Sequence, residues 1–124
     1  MPCKEEETSV FWIETDQELA DAVASWENCV GFDTEFIRTD TFYPIPGLYQ
    51  VASADQVFLI DPLTIEDWQP FSTFLMDPKT LIVMHACQED LEMLNHHLKV
   101  QPTSVVDTQF AHAFTGVDYS LSYA

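Results

Sequence analysis

The stretch CVGFDTEFI, residues 29–37, decides how the rest of the chain is arranged. Its apolar, β-branched and aromatic residues predict a strand, and alternation across that strand places the acids Asp33 and Glu35 on one face. Apart from Thr34, the opposite face is apolar. Carboxylates about 7 Å apart on a part-buried strand repel each other and are costly to desolvate, so they require a nearby cation or exposure at an edge.

The residues on either side of this segment predict further antiparallel pairing. A short strand at 10–13 precedes it, and a capping box at 15–18 opens the helix between the two strands. Two prolines and a glycine predict a loop over 38–47, after which 48–53 and 56–60 form a hairpin. The first half of the chain therefore contributes three adjacent strands.

The second half alternates helices with strands. We expect a helix over 65–76, a strand buried on both faces at 81–84, a helix over 87–98, a strand at 104–106 and a helix beginning near Asp107. This order requires parallel crossovers. The fold class is therefore α/β, a three-layer domain with a mixed sheet in which antiparallel strands come first and parallel βα units follow.

Composition bounds the class of protein. With 124 residues, 47% hydrophobic and 20% charged, the chain fits one folded domain and excludes a disordered one. The 21 acidic residues against 4 basic ones give a formal net charge of −17, which by itself argues against nucleic-acid binding. That inference depends on where the acids lie.

The cysteines and the amino terminus indicate the compartment. Three cysteines without CxxC spacing predict neither a disulfide framework nor a zinc site, and favour a reducing cytosol. The acidic start has no apolar stretch behind it, so it is not typical of a signal peptide. No apolar run approaches the roughly 18 residues of a membrane span. We expect a cytoplasmic protein with no membrane partner.

A second acidic cluster, residues 85–92, follows the apolar strand 81–84. On the predicted helix Asp90 lies about 60° from the centre of the apolar stripe, while Glu89 and Glu92 fall on the far face as ordinary solvated acids. Asp90 is therefore the acid that faces along the sheet. It is either an ordinary first-turn acid or, with the acids of 29–37, an oxygen ligand for Mg²⁺ or Mn²⁺.

Other polar and aromatic residues have structural and functional interpretations. Asp107 lies between a predicted strand and a predicted helix. We interpret it primarily as the N-cap of that helix and secondarily as a residue that lines the site. His85 either caps the next helix or contacts a substrate, and we expect His96 and His97 at the surface. Four aromatic side chains either pack a loop or stack on nucleic-acid bases: Phe36, Phe42, Tyr43 and Tyr49.

Three ordered segments resemble a known family. Residues 30–36 (VGFDTEF) are similar to the first motif of the DEDD superfamily of 3′-to-5′ exonucleases. Residues 85–91 (HACQEDL) resemble the second motif as ribonuclease D carries it, and 105–109 (VVDTQ) the strand-helix junction that follows. The likeness spans about 10–124.

The resemblance implies a ribonuclease H-like fold and hydrolysis of phosphodiesters at RNA 3′ ends, such as those of tRNA precursors or other structured RNAs. It implies two divalent cations, Mg²⁺ or Mn²⁺. By the same resemblance Asp33 would bind both ions, Glu35 the ion that activates water, and Asp90 the second ion, partly through water. Candidate contacts to the 3′ nucleotide are Phe36, Gln50 and His85.

The chain departs from the family at the third motif, a Tyr followed four residues later by the fourth Asp. Tyr119 and Tyr123 have no Asp at that offset, although 119–124 begin another helical pattern. We therefore expect 1–124 to be an incomplete exonuclease domain, truncated before its last helices and inactive alone. The helical nucleic-acid-binding domains would follow in a monomeric full-length enzyme.

Two other functions remain open from the sequence. A DNA proofreading-type exonuclease would use the same chemistry on another polymer, because no contact to a 2′-hydroxyl can be read from the sequence. A noncatalytic acidic metal-binding or protein-interaction module would keep the fold and lose the activity.

Overall fold

The computed structural model describes residues 8–37 and 45–110, which form a six-stranded mixed sheet and three helices. The strands are β1 Ser9–Ile13, β2 Cys29–Ile37, β3 Ile45–Ser53, β4 Gln56–Ile60, β5 Leu81–Met84 and β6 Val105–Asp107. The helices are α1 Asp16–Ser25, α2 Gln69–Met76 and α3 Gln88–Leu98.

The strand order is β1-β4-β3-β2-β5-β6. Strands β2, β3 and β4 pair antiparallel at the centre, while β1 runs parallel to β4. On the other side β5 runs parallel to β2 and β6 parallel to β5. The predicted α/β class, with antiparallel strands first and parallel βα units after them, is confirmed.

One face of the sheet carries the core. Its buried side chains alternate along β2, β3 and β4 and pack against those of all three helices. The largest fully buried side chains are Tyr49, Phe71, Leu19, Ile60, Leu75 and Ile82. The opposite face, which carries Asp33 and Gln50, is partly open in the described structure, where Trp12 is 58% exposed. The described residues thus form two of the three predicted layers.

The capping box predicted at the start of α1 is confirmed. Thr15 Oγ1 accepts a hydrogen bond from the Glu18 amide at 3.1 Å, and Glu18 Oε1 accepts one from the Thr15 amide at 3.1 Å. These two bonds pair backbone donors that the first helical turn leaves without partners. None of the helices in ranges 8–37 and 45–110 is long and apolar enough to cross a membrane.

Two predictions for the second half of the chain are wrong. Helix α2 begins at Gln69 rather than at 65, because Pro70 lies in its first turn, where its missing N–H costs no helical hydrogen bond. Strand β5 is not buried on both faces: Leu81 is exposed and Val83 is half-buried. The described helices cover only the opposite face of the sheet.

The predicted loop is also wrong at its end. Residues 45–47 belong to β3, while 38–44 lie outside the described residues. The pairing register shifts between Glu35 and Phe36, so that Leu48 faces Glu35 and Pro46 faces Phe36. This bulge lets a proline enter the strand. The helix expected at 119–124 also lies outside the described residues.

Candidate functional site

The two acids of strand β2 lie on the partly open face of the sheet. Asp33 and Glu35 are exposed there, while Thr34 between them is buried on the core face. Asp33 Oδ1 accepts a hydrogen bond from the Thr34 amide at 3.0 Å. Alternation along the strand was predicted from the sequence and is confirmed.

Helix α3 brings Asp90 to the same strand. The Asp90 side chain is 7% exposed, and its Oδ1 accepts a hydrogen bond from the hydroxyl of Thr34. The second acidic cluster therefore contacts the residue that separates Asp33 from Glu35, although the two partners are 56 positions apart in the chain. This role of Thr34 was not predicted; its signal in the sequence is a polar residue on an otherwise apolar strand face.

The surroundings of Asp90 disfavour its charge. Burial raises the pKa of its carboxyl to about 6, the Thr34 hydrogen bond acts against that rise, and the neighbouring carboxylates of Asp33 and Glu89 add to it. A buried carboxylate repelled by other carboxylates is relieved by a cation. The electrostatics therefore fit a site that binds positive charge.

The donor set suits a hard divalent cation, because carboxylate oxygens are the ligands that Mg²⁺ and Mn²⁺ prefer. Within 8–37 and 45–110, however, no three Asp, Glu, His or Cys side chains are arranged so that they could hold a metal ion together. Asp33, Glu35 and Asp90 fit divalent cations by chemistry and by proximity of their elements, and their roles as ligands remain predictions.

A groove of about 510 Å³ runs along the face of the sheet that carries Asp33. Gln50, the antiparallel partner of Asp33, lines it together with His85 and Thr108. His85 Nδ1 lies 2.8 Å from Thr108 Oγ1, while its Nε2 is buried without a hydrogen-bond partner among the described residues. The structure therefore brings two of the three predicted nucleotide contacts into one groove with Asp33.

The aromatic candidates lie elsewhere. Phe36 is half-buried and packs against the core cluster on the other face of β2. Tyr49 is fully buried and stacks on Phe71 at a ring-centroid distance of 5.9 Å, so it does not present a face to a base. Phe42 and Tyr43 lie outside the described residues.

The prediction that His97 lies at the surface is wrong. Its ring is half-buried, with Nδ1 2.6 Å from the hydroxyl of Tyr49, and it contacts the edge of Trp68. Burial lowers the pKa of His97, and the neighbouring His96 lowers it further. His96 is exposed, as predicted. The seven-residue spacing from Asp90 to His97, which places both on one side of a helix, was the overlooked signal.

Asp107 caps the helical turn that follows β6, as predicted, and also binds the turn that precedes α3. Its carboxylate accepts hydrogen bonds from the amides of Ala86 at 2.9 Å, Cys87 at 3.0 Å and Gln109 at 2.9 Å. Burial alone would raise the pKa of Asp107, but these donors outweigh it and hold the pKa below its ordinary value. The bond to Gln109 caps the helical turn that follows β6.

Comparison with known proteins identifies the class. Residues 10–124 match the family model described as 3′-5′ exonuclease, and the chain belongs to that family. Within it, the chain is 43% identical over 117 residues to the ribonuclease D of Pseudomonas paraeruginosa, an alignment covering 93% of this chain and 31% of that relative. The resemblance to ribonuclease D is thereby confirmed.

Solved structures agree with that assignment. The Escherichia coli ribonuclease D structure superposes with a TM-score of 0.83 at 39% identity, covering 91% of this chain and 31% of that one. The Trypanosoma brucei ribonuclease D complex with RNA U12 gives a TM-score of 0.74 at 27% identity, covering 83% and 39%. The chain thus spans about a third of the length of these relatives. Exonucleases of the DEDD type generally depend on divalent metals.

Proposed function

We propose that residues 1–124 are the amino-terminal part of a 3′-to-5′ exoribonuclease domain of the ribonuclease D type, with Asp33, Glu35 and Asp90 as ligands of two divalent cations. One observation supports it most directly. Thr34, which separates the two acids of β2, contacts the buried carboxylate of Asp90 on α3. Two acidic motifs far apart in the sequence therefore meet at one segment of β2, where the carboxylate of Asp33 is near enough to raise the pKa of Asp90.

Each residue has a defined part in the proposed reaction. Divalent cations, Mg²⁺ or Mn²⁺, would stabilise charge on the entering and leaving oxygens of a phosphodiester when bound. Asp33 and Glu35 present carboxylate oxygens from the exposed face of β2. Asp90 supplies its oxygen only when deprotonated, and its pKa of about 6 allows this at neutral pH.

The groove beside Asp33 would receive the 3′-terminal nucleotide. Gln50 offers both amide donors and an acceptor to the groove, and His85 lines it with its Nε2 buried and without a partner among the described residues. Gln50 can form hydrogen bonds with a nucleotide, and we propose that the bound nucleotide also reaches Nε2 of His85. The RNA-bound T. brucei relative favours RNA as the polymer, and the E. coli relative is described as an exoribonuclease involved in structured RNA processing.

The activity test uses the full-length protein that contains this domain and an RNA labelled at its 5′ end. We expect stepwise shortening from the 3′ end that requires Mg²⁺ or Mn²⁺ and is lost in Asp33→Asn, Glu35→Gln and Asp90→Asn. Glu92→Gln, an exposed acid on the same helix as Asp90, is the matched control and should keep wild-type activity. Activity that survives in all three site variants would contradict the proposal.

The same assay separates the alternatives. Faster degradation of a DNA strand of matched sequence would favour a proofreading-type exonuclease. Metal binding without shortening of either strand would favour the noncatalytic module. Precursors of tRNA, compared with unstructured RNA of equal length, test the narrower substrate class.

We also infer that the full-length enzyme is monomeric and cytoplasmic. The free thiols Cys29 and Cys87, neither in a disulfide, suit a reducing compartment. Light scattering measures the mass, and fractionation of expressing cells locates the protein. A stable dimer or recovery outside the cytoplasm would contradict this part of the proposal.

A further inference from the structure

The turn that starts α3 has an unusual backbone. Between β5 and α3, Ala86 adopts a φ of 50°, in the left-handed region that side chains other than glycine rarely occupy. Cys87 is the N-cap of α3, but its side chain makes no capping hydrogen bond. Interactions from outside the helix must therefore hold this turn in place.

Strand β6 supplies those interactions. The parallel register pairs Met84 with Asp107, so the carboxylate of Asp107 lies beside the turn that follows β5. Its two oxygens accept hydrogen bonds from consecutive amides: Oδ1 from Ala86 at 2.9 Å and Oδ2 from Cys87 at 3.0 Å. Hydrogen bonds from backbone donors to a charged carboxylate are among the stronger ones in proteins.

A local capping role does not account for this arrangement. Asp107 bonds the amide of Gln109, two residues on, as Asp67 bonds that of Gln69 before α2. Within the part of the chain that the structure describes, Asp67 makes only that local bond, whereas Asp107 also accepts from donors 20 and 21 residues away. Those distant donors belong to the turn from which α3 carries Asp90.

We propose that Asp107 is a positioning residue of the metal site: its carboxylate fixes the turn between β5 and α3 and thereby the location of Asp90. Asp90 lies three residues beyond Cys87, in the first turn of the helix that this turn orients. A change in the turn is carried directly to the Asp90 carboxylate. The proposal rests on the proposed function, since it assumes that Asp90 binds a cation.

The test is Mn²⁺ binding to the full-length protein that contains this domain, measured by calorimetry. We expect Asp107→Ala to weaken binding about tenfold or more, the range found when residues that orient metal ligands are removed. Asp67→Ala, which removes only the local bond, should change the affinity less than about twofold. Adding Ala86→Gly to Asp107→Ala should recover part of the loss, because glycine adopts positive φ without steric cost.

Asp107→Asn provides a second variant if Asp107→Ala does not fold. It keeps one oxygen for the turn and loses the other, so we expect a smaller loss of affinity in the same direction. Wild-type affinity in the folded Asp107 variants, alongside weakened binding in Asp90→Asn, would overturn the positioning role alone. Unchanged binding in Asp90→Asn would instead overturn the metal assignment and, with it, the role of Asp107.

Discussion

At the scale of single residues, Asp90 concentrates the chemistry of the candidate site. Its carboxyl is buried, is repelled by Asp33 and Glu89, and is relieved only in part by the hydroxyl of Thr34. The sequence predicted that Asp90 is the acid of its cluster that faces the sheet. It did not predict the contact with Thr34, because spacing along one helix carries no information about which strand residue lies opposite.

The pKa of Asp90 has a consequence for stability. Because the folded-state pKa of about 6 lies above the unfolded value of about 3.9, ionisation of this group stabilises the unfolded state more than the folded state. Without metal, its contribution to stability is present below pH 4 and is lost as the pH rises through about 6. Asn cannot ionise, so we expect the stability of Asp90→Asn not to fall in this way as the pH rises.

Urea unfolding of wild type and Asp90→Asn at pH 4.5 and 7 measures the effect. The free energy of unfolding of wild type should fall relative to that of the variant between the two pH values. Added Mn²⁺ should reverse the trend at pH 7, where the carboxylate is ionised. A difference between the two proteins that is the same at both pH values would show that Asp90 titrates normally.

At the scale of elements, helix α3 is joined to the central strands near both of its ends. Asp90 in its first turn contacts Thr34 on β2, and His97 in its last turn contacts Tyr49 on β3. Thr34 and Tyr49 are direct partners across the two strands. Each end of α3 is therefore held by one contact to this pair of neighbouring strand residues. Two such contacts limit rotation of the helix about its axis and so fix the face that carries Asp90.

His97→Ala tests the second of these contacts. The buried hydroxyl of Tyr49 would lose its partner and the ring of Trp68 would lose a contact, so we expect about 1–3 kcal/mol of destabilisation. Glu92→Ala, at an exposed position of the same helix, should stay within about 0.5 kcal/mol of wild type. Chemical denaturation of the three proteins compares them, and equal stabilities would rule out a structural role for His97.

The elements themselves were largely predictable from the sequence. The capping box located the start of α1, and the alternation along β2 correctly separated its two faces. Errors arose where partners distant in sequence decide the structure. Residues 45–47 look like a loop because of Pro46 and Gly47, yet the bulge opposite Glu35 accommodates both in β3.

At the scale of the whole molecule, the acidity restricts how the proposed RNA substrate could be bound. The four positive charges of two divalent cations would offset less than a quarter of the net charge of −17. Phosphate binding at the metals is therefore local, while the rest of the surface repels the strand. We infer that most of the affinity for RNA comes from parts of the full-length protein beyond these 124 residues.

Fluorescence anisotropy with a labelled single-stranded RNA tests this inference on the 124-residue chain. In EDTA we expect binding weaker than about 100 μM, the weak end of non-specific association. Mn²⁺ should strengthen it in wild type and not in Asp33→Asn. Submicromolar binding in EDTA would show that the chain has an RNA-binding surface independent of its metals.

The central claim is that Asp33, Glu35 and Asp90 bind divalent cations together. Paramagnetic broadening by substoichiometric Mn²⁺, followed by NMR on the isotopically labelled chain, reports all three positions at once. We expect the amide signals of Asp33, Glu35 and Asp90 to broaden together, and Asp90→Asn to reduce the broadening at β2. Broadening spread over the exposed acids, with these three signals unaffected, would contradict it.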